Sequence, residues 1–134
     1  MSTIYVARSA RFSQWASDVG LSKNVFKLGI AEEPVKELIA TGWAGETDWV
    51  LVKKEPAEGL AEETALVRLA QREKAIDPKF YPKLKGALGF FKVLPANVEN
   101  QLLVSLSLAN RPLPKEVKLK PADFAAYLIH NARG

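Results

Sequence analysis

The groups able to do chemistry in this chain are defined first by what it lacks. It contains no cysteine and a single histidine, His130, which has no recognisable partner in the sequence. A thiolate nucleophile, a thiolate zinc site, a disulfide framework, a multi-histidine metal centre and most nucleophile–histidine triads are therefore excluded. Carboxylates, tyrosine, lysine and arginine remain for any catalysis. Charge gives the second clue. Residues 1–63 hold 7 Lys/Arg against 10 Asp/Glu, a net −3, whereas residues 64–134 hold 12 against 5, a net +7. The densest block spans residues 68–92. There Arg68, Arg72, Lys74, Lys79, Lys83, Lys85 and Lys92 meet only Glu73 and Asp77, and Phe80, Tyr81, Phe90 and Phe91 are interleaved. Cations that meet phosphates and rings that stack on bases suit a nucleic acid, so Arg68, Arg72, Lys79, Lys83 and Lys85 are candidate DNA contacts. A solvated basic surface beside core aromatics accounts for the same letters.

The elements that must position these groups alternate. Residues 3–7 and 25–30 are rich in β-formers and read as strands. Between them Phe12, Trp15, Ala16 and Val19 recur at helical spacing, and Gly20 ends that helix. Glu32, Glu33 and Pro34 open a second helix that runs to Gly42, with acids near its positive end. Residues 48–53 form a third strand, 60–74 the strongest helix, 90–94 a short strand, 95–110 another helix, and 121–132 a last amphipathic helix carrying Phe124, Tyr127 and Leu128. This order predicts an α/β (α+β) fold, a small mixed or antiparallel sheet flanked by helices. Two parts are expected: a domain over residues 1–110 and an extension over 111–134 that either packs on the core or offers its helix to a homodimer or a protein partner. At 134 residues, 48% hydrophobic and 25% charged, the chain is long enough to bury a core without a staple.

Four segments, in order, resemble the GIY-YIG endonucleases, in the manner of their phage and bacterial members. They are Thr3-Ile4-Tyr5-Val6; Lys27-Leu28-Gly29-Ile30 with the Glu-Glu-Pro helix to Thr41-Gly42; Glu63-Thr64-Ala65-Leu66-Val67-Arg68-Leu69; and Gly89-Phe90-Phe91-Lys92-Val93. The likeness covers about residues 3–108. It implies metal-assisted hydrolysis of a phosphodiester, in which a tyrosine activates water, one divalent cation on a helix carboxylate stabilises the scissile phosphate, and an arginine neutralises developing charge. By position the base is Tyr5 and the metal carboxylate Glu63, with Glu62 the alternative if the register slips by one. Mg²⁺ or Mn²⁺ is the implied cofactor, since a hard cation keeps most of its waters and needs one carboxylate plus the substrate phosphate.

The departures are as informative. Lys27 stands where the second motif has tyrosine, and either contacts phosphate or is an ordinary residue of an alternating strand whose Phe26 and Leu28 face the other way. The arginine is absent; Lys36 is the cation available there, a point charge without the guanidinium fork. Val67 replaces a histidine found in these branches. Two functions follow: a DNA endonuclease using Tyr5, Lys27, Lys36 and Glu63, or a cleavage-silent relative that binds nucleic acid or a protein. Trp15 and Trp49 read as packing anchors, and Trp43 either as an anchor or as an exposed contact. No signal-peptide pattern opens the chain, and residues 102–109, the longest mainly apolar run, are interrupted by Ser105 and Ser107. A cytoplasmic protein without a membrane segment is expected.

Overall fold

The computed structural model describes residues 2–113, 115 and 118–133. Residues 2–8 combine β-branched, aromatic and small side chains, and the central five of the seven are buried whichever way they point. This strand, β1 (Ser2–Arg8), is therefore covered on both faces. It pairs antiparallel with β2 (Val25–Glu32) on one side and β3 (Val50–Pro56) on the other. β5 (Phe90–Lys92) joins β2, and the two-residue β4 (Lys74–Ala75) joins β5, giving the antiparallel order β3-β1-β2-β5-β4.

Alternation sorts the strand residues between two cores. Ile4, Val6, Phe26, Leu28 and Phe91 face α3 (Glu62–Ala70), α4 (Pro95–Leu108) and α5 (Pro121–Arg133). Tyr5, Ala7, Val25 and Phe90 face α1 (Ala10–Asp18), α2 (Val35–Thr41) and the segment around Trp49. Ser9 caps α1, its Oγ accepting from the Phe12 N–H at 3.0 Å while its hydroxyl donates to Asp48. Gly20, at φ +83°, lets the chain leave α1 in the left-handed region. The expected α+β architecture is the one observed. A 3-10 turn at Pro82–Leu84 and strand β4 are additions that hydrophobic periodicity does not signal.

The last helix belongs to the main core. α5 buries Phe124, Ala125, Tyr127, Leu128, Ile129 and Ala132 against β1, β3 and α3. Each large apolar side chain among them contributes roughly 1.5–3 kcal/mol by leaving water. Of the two roles open to it from sequence, α5 takes the first. Its apolar face is used by its own chain, which leaves Ala122, Ala126, His130 and Arg133 among its exposed residues. Residues 114, 116 and 117 of the connecting segment lie outside the described residues. Arg68 ties α3 to α5 by donating from Nη1 to the Arg133 carbonyl at 2.9 Å, and Arg133 donates to the Pro56 carbonyl at 2.6 Å. Among the described residues no helix is long and apolar enough to cross a membrane.

Candidate functional site

β5 accompanies β2 only as far as Lys27, opposite Phe90. Beyond that point β2 has an outward row of backbone groups with no strand beside it. The Leu28 N–H donates to the Gly89 carbonyl at 2.8 Å, and the Ile30 N–H donates to Oε2 of Glu62 at 2.8 Å. Glu62, the first residue of α3, thus stands in for the carbonyl of a missing strand. The next residue, Glu63, is exposed on the rim of a groove of about 640 Å³ that it shares with Glu62, Val67, Asp77 and Leu88. The carboxylate whose charge acts on both Tyr5 and Lys27 is Glu62. Of the two carboxylates, Glu62 is the one bonded to β2, while both line the groove. A signal existed in the sequence: Glu62 lies three and seven residues before the buried Ala65 and Leu69, on their side of the helix.

Tyr5 and Lys27 project from neighbouring strands onto the same sheet face and are 2% and 5% exposed. Tyr5 lies against Gly29, its cross-strand partner; a Cβ at Gly29 would sit 2.5 Å from the Tyr5 hydroxyl. Trp43 stacks on the same ring, centroids 6.0 Å apart. Trp43 is half-buried: it packs on Tyr5 and also lines a surface pocket with Thr41, Ala44 and Lys85. Burial, and after it the Glu62 charge, holds the Tyr5 phenol proton well above the ordinary value. A phenol so protected is a poor base at neutral pH.

Lys27 is enclosed in the same way. Its Nζ donates to the Leu88 carbonyl at 2.6 Å and the Leu28 carbonyl at 3.5 Å, and lies 5.5 and 5.4 Å from the ring centroids of Trp43 and Phe90. Burial lowers its pKa, with Glu62 opposing that shift. The ammonium is directed at carbonyls and rings of its own chain, not at an incoming phosphate. Neither strand reading is complete: Lys27 does face away from Phe26 and Leu28, but the face it takes is itself covered.

The other sequence candidates lie elsewhere. Lys36 is exposed on α2 and makes no hydrogen bond or ion pair among the described residues. For the implied Mg²⁺ or Mn²⁺ the carboxylates present in this part of the fold are Glu62 and Glu63, both exposed. One oxygen of Glu62 accepts from the Ile30 N–H, and no three His, Cys, Asp or Glu gather among the described residues, so a cation held there would take one or two carboxylates and keep most of its waters.

The basic block divides. Arg68 and Arg72 ride on α3 and the turn after it, on one face of the sheet, while Lys79, Lys83 and Lys85 belong to the connection whose Ile76 and Leu84 fill the core of the opposite face. Lys83 is engaged internally, 3.3 Å from Glu46 and 5.9 Å from the Trp15 ring centroid. Lys79 and Lys85 are exposed, as is Phe80 at 76%. Sequence reasoning left two members of the block unassigned. Lys74 and Lys92 sit directly opposite each other across β4 and β5, and neither is in an ion pair among the described residues. Only the register of a two-residue strand reveals that pair.

The protected phenols make stability fall in alkali. Tyr5 and Tyr127 both have folded pKa values above the ordinary 10.0, so the stability they confer is complete below pH 10 and is lost as pH rises toward the folded values. Lys27 runs the other way, its contribution growing with pH and complete by its ordinary 10.5. Urea unfolding across alkaline pH is expected to show a decline above pH 10 that is shallower in Tyr127→Phe. An equal decline in that variant contradicts the assignment. No family model, no curated protein and no solved structure matches this chain.

Proposed function

We propose that this chain binds the phosphate backbone of DNA across its β4–β5 edge and does not cleave it, its frame being that of a GIY-YIG nuclease whose centre has become a packing cluster. The observation that carries the binding half is the Lys74–Lys92 pair. Like charges directly opposite in a sheet repel, and a row of phosphates relieves that repulsion. Arg72 directly precedes this edge in the chain, and exposed Lys79, Phe80 and Lys85 follow in the connection from β4 to β5. The silence of the centre is supported by the enclosure of Tyr5 and Lys27 and by the absence of an arginine at the position of Lys36.

Backbone recognition of this kind is salt-dependent and tolerant of sequence. Fluorescence anisotropy with a labelled duplex is expected to give an affinity that falls log-linearly with salt. Replacing Lys74 and Lys92 by glutamine is expected to reduce the slope by roughly 0.9 for each lysine. Binding without salt dependence, or a slope unchanged in the double variant, contradicts the proposal. A second reading, a working endonuclease with Tyr5 as base and Glu62 as carboxylate, draws on one observation, the action of the Glu62 charge on both Tyr5 and Lys27.

A further inference from the structure

Away from that edge, a cleft of about 460 Å³ opens where β1 ends, α1 passes, β2 begins and α5 starts. One wall is polar: Arg8, Ser13, Gln14, Ser17, Lys23 and Asn24. Among the described residues no carboxylate lines it, and neither Arg8 nor Lys23 has an ion-pair or hydrogen-bond partner. Arg8 is half-buried, so its guanidinium is drawn partly out of water without a counter-charge. The other wall is apolar and includes the Phe26 and Phe124 rings, stacked with centroids 5.3 Å apart.

We infer that this cleft binds a phosphate monoester carried on a planar or apolar body of about mononucleotide size. The volume lies within the range of pockets that enclose such molecules. The guanidinium offers its planar fork, the lysine a point charge, and the serine hydroxyls and the Asn24 amide neutral donors, a set that matches phosphate oxygens, while the Gln14 amide donates to Asp18 at 3.0 Å. The apolar wall accepts the body of the ligand, which inorganic phosphate lacks. The monoester belongs either to a free nucleotide or to the 5′ end of a DNA strand; both present the same group. The site is independent of the proposed binding edge, since it shares no residue with it.

Calorimetric titration of the full chain with adenosine monophosphate tests this. One site per chain is expected, with adenosine at least tenfold weaker and inorganic phosphate weaker than the nucleotide. Arg8→Gln and Lys23→Gln are each expected to lower nucleotide affinity by about tenfold, the loss of one charge-assisted contact. Lys23 is exposed, so its variant is free of any folding effect. A 5′-phosphorylated oligonucleotide that competes better than its 5′-hydroxyl counterpart assigns the site to DNA ends; equal competition assigns it to free nucleotides. Lys74→Gln with Lys92→Gln is expected to leave nucleotide affinity unchanged, which separates this site from the edge. Equal affinity for adenosine and its monophosphate, no binding at millimolar nucleotide, or unchanged affinity in both cleft variants overturns the inference.

Discussion

Glu73→Ala is expected to destabilise the fold by about 3 kcal/mol, a large loss for a single side chain. Glu73 is 5% exposed and sits between α3 and β4. Its carboxylate accepts from the Tyr127 hydroxyl at 2.7 Å, the Asn97 amide at 2.9 Å and the Leu94 N–H at 3.3 Å. Three donors from α4, α5 and the start of α4 converge on one buried acceptor. Removing it leaves the buried Tyr127 hydroxyl unpaired, at about 1–3 kcal/mol, while the half-buried Asn97 amide and the N–H of exposed Leu94 turn in part to water and add less. Glu73→Gln keeps an acceptor but turns an amide N–H₂ toward one donor, so about half the loss is expected. The Glu73 bond and charge also raise the Tyr127 pKa, after burial as the main cause. Urea unfolding measures both variants, and a cost below 1 kcal/mol for alanine contradicts this role.

Gly89→Ala is expected to cost about 3 kcal/mol, combining a left-handed backbone with a contact that has nowhere to go. Gly89 has φ +94°, and a Cβ there would collide with the Leu28 carbonyl and lie 2.6 Å from the Lys27 Nζ. The carbonyl is backbone held in place, because the Leu28 N–H donates to Gly89 itself at 2.8 Å. Gly59 supplies the control. Its φ of +77° is similarly left-handed, but nothing lies within 4 Å of its Cβ position, so Gly59→Ala is expected to cost only about 1 kcal/mol. Equal losses at the two glycines contradict the view that Lys27 is packed against Gly89.

The elements were legible wherever a period ran long enough. The buried positions of α3 and α5 recur at three and four residues, and the β-formers of β1 and β2 stand out against their flanks. The two residues of β4 carry no period and no β-branched side chain, so the strand and the lysine pair it creates emerge only from pairing with β5. The site was half legible. Tyr5 and Gly29 are adjacent because antiparallel register makes them partners, which sequence order alone suggests. The burial of Lys27 was not readable, because alternation says which face a residue takes and not whether loops close over that face. Here Trp43, Leu88 and Gly89, from two distant segments, do so. Glu62 and Glu63 differ by a rotation of about 100° around α3, and only the folded register shows which of them bonds to β2.

The account joins these points into one claim: a centre whose lysine is bonded to backbone carbonyls and whose phenol is packed between rings and backbone is a packing cluster, while the basic edge remains open to phosphate. The most direct test is incubation of supercoiled plasmid with the purified chain and Mg²⁺ or Mn²⁺, beside Tyr5→Phe and Glu62→Gln. The account predicts intact plasmid from all three proteins, together with a salt-sensitive mobility shift in the presence of EDTA. Nicked or linear plasmid from the unsubstituted chain, lost in Tyr5→Phe and in Glu62→Gln, would contradict it and establish a working nuclease.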